Sequence, residues 1–268
     1  MLSIEQRFES LLTATTSLSS VRAVGKTGGS QLPADSESDV DLFVFCERIP
    51  TRNAREEMLS SLISTITIDR LGDFEDTHWG LVDSLRIGSL EVYLMYFTIR
   101  TFSDSLEAIL RGDRLDREAN YFYPTGRCAS ILGMHVFYDP DCYLKDWKQR
   151  LDRYPESLAQ ALISHHAALM DDAEDFRRAV RRGDTLFFHA TLDLAIEHFL
   201  QTLFALNHVY FPSRKRTVSY IQSFSKAPIN CDSRLQNVIR LGASSKTLFQ
   251  SYALWKNLCA ELNTLLSV

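Results

Sequence analysis

The sequence has no long hydrophobic run. A membrane-spanning helix needs about 18 or more consecutive apolar residues, whereas the longest apolar stretches here, 40–46, which Asp41 interrupts, and 92–97, are only as long as a β-strand. The first ten residues also lack the basic start and apolar stretch of a secretory signal peptide. We therefore expect a cytoplasmic protein with no membrane partner.

Cysteine is scarce and unpaired. The 268-residue chain has five cysteines, and no two of them form a Cys-x-x-Cys pair. An odd number without paired spacing argues against a disulfide framework and a cysteine zinc site. The hydrophobic and charged fractions, 45% and 24%, are those of a globular protein and exclude a disordered chain.

Positive charge is in deficit over the first part of the chain. Residues 1–150 carry a net charge of −7, whereas the remainder carries +2. An acidic half is a poor match for a nucleic-acid backbone and suits divalent cations or a cationic ligand better. We therefore expect no nucleic-acid partner.

Two kinds of periodicity divide the sequence. Up to about residue 145, helical spacing alternates with short β-rich runs, whereas from Tyr143 onward only helical spacing is found. We predict strands at 21–24, 40–46, 80–87, 90–97 and 130–138, and helices at 4–12, 52–65 and 104–112. The prediction is an α/β (α+β) domain over residues 1–145 and an all-α helical bundle over residues 146–268.

One stretch, 28–42, combines several chemical signals. Gly29 and Ser30 follow a strand, and their backbone N–H groups and the serine hydroxyl can cradle a phosphate. Asp39 and Asp41 begin the next strand, and side chains two apart on a strand share a face. Two such carboxylates repel each other, and a divalent cation relieves that repulsion while bridging to phosphate. The alternative is that Asp39 is a turn residue and Asp41 faces solvent.

This stretch resembles the signature of the DNA polymerase β-type nucleotidyltransferase superfamily: Gly-Ser, a short spacer, then Asp-x-Asp. The resemblance implies a small mixed sheet with helices on one face and two magnesium ions. It implies transfer of a nucleoside monophosphate from a nucleoside triphosphate, most simply AMP from ATP. Gly29 and Ser30 would hold the triphosphate, and Asp39 and Asp41 would ligate the metals.

The superfamily places a third metal-binding carboxylate on a later strand. Glu91 matches best because it follows the Gly88-Ser89 turn on a strand that we predict to be buried. A buried carboxylate needs a metal or a basic neighbour, so the alternative is a salt bridge with Arg86 on the partner strand. Asp83 is the alternate third carboxylate.

The segment 195–215, within the predicted bundle, resembles the second domain of the small-molecule branch, which includes the aminoglycoside and lincosamide adenylyltransferases. The resemblance makes Glu197 a candidate general base across a substrate cleft between the domains, unless it is a structural partner of a nearby Arg or Lys. Asn207 and Lys215 could reach the nucleotide, and Lys26 could contact the triphosphate.

His165 and His166 are the one adjacent histidine pair in the sequence. Neighbouring side chains on a helix point in different directions, so we expect them to pack rather than to share a metal.

The predicted function is a magnesium-dependent nucleotidyltransferase that uses ATP or another nucleoside triphosphate and a small-molecule hydroxyl acceptor, such as an aminoglycoside-like antibiotic. Two alternatives stay open. The acceptor could be a protein side chain that receives AMP, or the chain could be a degenerate member that binds nucleotide or a partner without catalysis. The second alternative depends on the spacer between Ser30 and Asp39, which has eight residues and no arginine.

Overall fold

A computed structural model describes residues 2–28, 32, 39–76, 78–119 and 122–267. Within these residues, six strands form one sheet in the order β3-β4-β5-β2-β1-β6. β2 and β5 are parallel, and the other neighbouring pairs are antiparallel. The chain is therefore a mixed α/β protein. The strands are Val21–Lys26 (β1), Val40–Cys46 (β2), Thr67–Arg70 (β3), Leu81–Ile87 (β4), Leu90–Thr98 (β5) and His135–Tyr138 (β6).

Helices precede, separate and follow the strands. Among the described helices, none is both long enough and apolar enough to cross a lipid bilayer. The helices are Ile4–Ser17 (α1), Arg52–Ser60 (α2), Ile99–Leu110 (α3), Pro124–Gly133 (α4), Tyr143–Leu151 (α5), Glu156–His166 (α6), Ala173–Arg182 (α7), Thr185–Leu206 (α8), Thr217–Ser223 (α9), Cys231–Gly242 (α10) and Leu248–Leu266 (α11).

The sheet packs against helices on both faces. On one face, Leu42 of β2 belongs to the same buried cluster as Phe8 of α1. On the other face, the ring of Phe45 lies 4.9 Å from that of Phe102 on α3 and 5.4 Å from that of Tyr143 on α5. The expectation of helices on one face only is therefore wrong.

The described elements confirm some predicted boundaries and correct others. Ser3 caps α1, and β4 and β5 form the predicted hairpin. The predicted helix at 104–112 begins earlier, at Ile99, and residues 130–133 belong to α4 rather than to a strand. The strand β3 was not predicted.

The chain folds into two compact units. The first consists of residues 1–108 and 127–153, and the second of residues 109–126 and 154–268. The first unit contains the whole sheet. The second contains α6 to α11, and its core includes Phe199 of α8 packed on Trp255 of α11. Segment 109–126, which the division at residue 145 assigns to the first domain, groups with the second unit.

Candidate functional site

Three carboxylates gather at the edge of the sheet where β2 and β5 begin. Asp41 lies beside Tyr93 in the parallel ladder. Asp39 precedes Asp41 by two residues, and Glu91 precedes Tyr93 by two residues. Because residues two apart share a face of a strand, Asp39, Asp41 and Glu91 belong to one face of this edge. We call these three residues the carboxylate trio.

All three residues of the carboxylate trio act on Tyr93. Its hydroxyl donates a hydrogen bond to the Glu91 carboxylate at 3.1 Å. Burial raises the pKa of Tyr93, and the hydrogen bond to Glu91 and the negative charges of Glu91, Asp39 and Asp41 raise it further. Tyr93 was not among the predicted site residues, although its position two residues after Glu91 was an available signal.

The carboxylate trio is open to water. Asp39 and Glu91 are exposed, and Asp41 is half-buried. The argument that Glu91 is buried is therefore wrong, and this carboxylate needs no compensating partner. Arg86 lies opposite Glu91 in the antiparallel ladder, but its guanidinium binds Asp69 through three hydrogen bonds of 2.7–3.0 Å.

The donor chemistry of the carboxylate trio fits hard divalent cations, which prefer oxygen ligands. Within the described part of the chain, the oxygens of the three residues do not all lie within 4.8 Å of one another. The three side chains are therefore not gathered around a single point in this structure.

Of the predicted phosphate-binding residues at the end of β1, the structure describes Lys26, whereas Gly29 and Ser30 lie outside the described residues. Lys26 ends β1 at the same edge of the sheet and is 3% exposed, with its Nζ donating to the Thr27 carbonyl at 3.2 Å. Burial lowers the pKa of Lys26, and the Asp41 carboxylate opposes that effect. Lys26 thus interacts electrostatically with Asp41 of the carboxylate trio, although it is buried.

Asp83 lies on the opposite face of the sheet from the carboxylate trio. It pairs with Leu94 in the ladder, one position out of phase with Tyr93, and is fully buried. Its carboxylate binds the Arg55 guanidinium and accepts a hydrogen bond from the Gly72 N–H at 2.9 Å. Asp83 is a structural ion-pair partner in this fold.

Glu197 is buried in the second unit, on α8, and is 6% exposed. The Tyr123 hydroxyl donates to its Oε2 at 3.4 Å, and the Arg117 guanidinium lies 3.1 Å from the same oxygen. Burial raises the pKa of Glu197, whereas the positive charges of Arg117 and Arg214 oppose this shift. Arg117 is the basic partner that a structural role requires. No local pattern could identify it because it is 80 residues away in the sequence.

Asn207 and Lys215 lie near the end of α8 in different settings. The Asn207 side-chain amide donates to the carbonyls of Leu203 and Lys226 at 2.9 and 2.7 Å, and its oxygen accepts from the Lys226 N–H. Both amide hydrogens are therefore used to join the helix end to a loop. Lys215 is exposed, and its backbone N–H donates to the Ser213 hydroxyl.

Comparison with known proteins gives a partial family match and a structural likeness. Residues 123–216 match a family model described as a domain of unknown function (DUF4037). No curated protein matches the chain by sequence. The structure is similar to the crystal structure of a nucleotidyltransferase-like protein from Exiguobacterium sibiricum, with 15% sequence identity and a TM-score of 0.49, over 99% of this chain and 75% of that one.

Proposed function

We propose that this protein is a magnesium-dependent nucleotidyltransferase that moves AMP from ATP onto a hydroxyl group of a small molecule. The observation that carries the proposal is the convergence of Asp39, Asp41 and Glu91 on Tyr93 at one edge of the sheet. Clustered, self-repelling carboxylates that face water do not stabilise a fold, but they do bind cations.

The bound magnesium ions would supply positive charge to the triphosphate and lower the pKa of the attacking hydroxyl. Asp39, Asp41 and Glu91 would hold the ions at the sheet edge. The Tyr93 hydroxyl fixes the orientation of the Glu91 carboxylate through its hydrogen bond. Gly29 and Ser30 would bind the triphosphate through N–H and hydroxyl donors.

The reaction forms one bond and breaks one. The acceptor oxygen attacks the α-phosphorus of ATP, and the bond from that phosphorus to the bridging oxygen breaks, so that pyrophosphate leaves. The acceptor proton needs a base, and we propose Glu197 for this role. The support is the resemblance of segment 195–215 to the second domain of the small-molecule adenylyltransferases, and burial also raises the pKa of Glu197, which suits a general base.

Titration calorimetry with a non-hydrolysable ATP analogue tests the metal and nucleotide site. The wild type should bind the analogue with magnesium and weakly or not at all without it. The double variant Asp39→Asn/Asp41→Asn should lose the magnesium-dependent part. The control, Glu56→Gln/Glu57→Gln, removes two exposed charges from α2 in the same unit and should bind like the wild type.

Two results would overturn this proposal. One is that the folded wild type does not bind the analogue with magnesium, which favours a degenerate, partner-binding protein. The other is that both double variants bind equally well. If binding is confirmed, mass spectrometry after incubation with ATP and hydroxyl acceptors, aminoglycosides included, identifies the acceptor by the mass of an added AMP. AMP found only on proteins would replace the small-molecule acceptor with a protein one.

A further inference from the structure

Four side chains that bind metals well meet inside the second unit. His165 and His166 end α6, His198 lies on α8, and Asp116 belongs to segment 109–126. We call these four residues the histidine cluster. The two adjacent histidines pack against each other, with ring centroids 4.7 Å apart at the end of the helix, and their nitrogens have different partners.

The distances within the histidine cluster are short. The Nε2 of His165 lies 2.7 Å from an Asp116 carboxylate oxygen, and the Nδ1 atoms of His166 and His198 face each other at 2.9 Å. One ligand atom from each of Asp116, His165 and His166 lies within 4.8 Å of the others. No other group of three or more His, Cys, Asp or Glu residues meets that distance in the described part of the chain.

The hydrogen bonds of His166 fix which of its nitrogens carries the lone pair. Its Nε2 lies 3.1 Å from the Leu115 carbonyl oxygen, which only accepts hydrogen bonds, so Nε2 carries the hydrogen. The Nδ1 of the neutral ring then presents its lone pair toward the Nδ1 of His198. Two ring nitrogens at this distance are joined either by a hydrogen bond, which the Nδ1–H of His198 donates to His166, or by a metal ion that replaces that hydrogen.

We propose that Asp116, His165 and His166 bind a divalent transition-metal ion of the zinc class, with His198 beside them in contact with the Nδ1 of His166. Imidazole nitrogens together with one carboxylate are a donor set for such ions. The bond from His166 to the Leu115 carbonyl is the outer contact that metal-binding histidines usually make through their second nitrogen. Residues 115 and 116 thus supply both that contact and a ligand.

Two contacts within the histidine cluster are already close to the spacing of zinc ligands. Zinc binds nitrogen and oxygen at about 2.0–2.2 Å, so neighbouring ligands in a tetrahedral site lie roughly 3.3 Å apart. The contacts of 2.7 and 2.9 Å are already close to that separation. His166 is 1% exposed, whereas Asp116 is exposed and provides an entry path.

This site is chemically distinct from the carboxylate trio. The trio offers only oxygen ligands and lies in the first unit, whereas the histidine cluster offers mainly nitrogen ligands and lies in the second. Zinc prefers nitrogen more than magnesium does. Zinc binding at the histidine cluster therefore does not depend on whether the proposed nucleotidyltransferase activity is correct.

Metal binding to the full chain, stripped of metal with a chelator, tests the site. Zinc titration by calorimetry should give one tight site per chain, and cobalt(II) in its place should give the visible bands of a tetrahedral complex. His165→Ala and Asp116→Asn should weaken zinc binding by about 10-fold or more and abolish the cobalt bands. His189→Ala, a matched change on α8 outside the cluster, should bind like the wild type.

Asp116 is exposed, so Asp116→Asn keeps the test decisive if a histidine variant does not fold. The variant Asp39→Asn/Asp41→Asn should retain the cobalt bands, which separates this site from the carboxylate trio. The proposal is overturned if the folded wild type binds no zinc. It is also overturned if zinc affinity is the same in Asp116→Asn, His165→Ala and His189→Ala.

Discussion

The pKa of Tyr93 depends on the charge of the carboxylates around it. Because Glu91, Asp39 and Asp41 all raise its pKa, the variant Asp39→Asn/Asp41→Asn should lower that pKa toward the ordinary tyrosine value of about 10. Carbon-13 NMR of labelled tyrosine, with Tyr93→Phe used to assign the signal, measures the change. An unchanged titration would mean that the two aspartates do not face Tyr93.

Glu197 should make stability depend on pH. Its pKa is raised in the folded state, so the folded state holds this proton more tightly than the unfolded state does. The associated stability is present below the ordinary carboxyl pKa and is lost as pH rises through the raised one. Glu197→Gln should therefore gain stability relative to the wild type between pH 4 and pH 7, as measured by urea unfolding. A constant difference across this range would contradict the shift.

In activity assays, Glu197→Gln should lower kcat about 100-fold or more if Glu197 is the general base, with nucleotide affinity retained. Glu174→Gln, on the exposed surface of α7, is the control. Equal activity of both variants would mean that Glu197 has only a structural role, as the ion-pair partner of Arg117.

Removing one partner of the buried ion pair of Asp83 and Arg55 should destabilise the fold strongly. Both side chains are at most 1% exposed, and removing one partner leaves the other charge buried. Asp83→Asn should reduce the free energy of unfolding by about 3 kcal/mol. Asp69→Asn, which breaks the largely exposed pair with Arg86, should change it by less than about 1 kcal/mol. Denaturant titration of both variants makes the comparison.

At the scale of the element, α4 has two glycines in opposite settings. A Cβ at Gly126 would come within 2.5 Å of the Pro212 carbonyl oxygen, whereas a Cβ at Gly133 would have no neighbour within 4 Å. Gly126→Ala should therefore cost about 1–3 kcal/mol of unfolding free energy. Gly133→Ala should be neutral or stabilise the protein by up to about 1 kcal/mol. Thermal unfolding of the pair checks both signs.

The sequence predicts elements well where hydrophobic spacing and turn chemistry agree. The strand 40–46 and the hairpin around Gly88 are correct for this reason. The predicted start of α3 is wrong because Asp104 and Glu107 have the spacing of a capping box, which suggested a helix start, but they lie inside a longer helix. Thr98 is the residue whose side chain accepts the N–H of Thr101 at the actual start.

The sequence predicts the sheet-edge carboxylates through spacing but not their surroundings. Period-two spacing places Asp39 and Asp41 on one face, and the parallel register adds Glu91. Glu91 is exposed, and Arg86 across from it binds Asp69 instead, an arrangement that depends on strand pairing rather than on the local sequence. The histidine cluster was missed because its members come from three separate segments.

At the scale of the whole molecule, four of the five thiols should be inert in the native state. Cys46, Cys128, Cys231 and Cys259 are buried, and burial raises the pKa of each thiol. Cys142 is half-buried. An aromatic disulfide reagent should therefore react quickly with at most one thiol in the native protein and with five in denaturant. Rapid reaction of two or more native thiols would contradict this packing.

Because each unit consists of two separate stretches of sequence, the division affects how the chain is synthesised and how its units could be recombined with those of other proteins. The path passes from one unit to the other after residues 108, 126 and 153. During translation, segment 109–126 leaves the ribosome before most of its own unit has been made, and β6 completes the sheet only after that segment has passed. The two units therefore cannot be exchanged between proteins as cassettes joined at one point. Any recombination that preserves both must make three junctions.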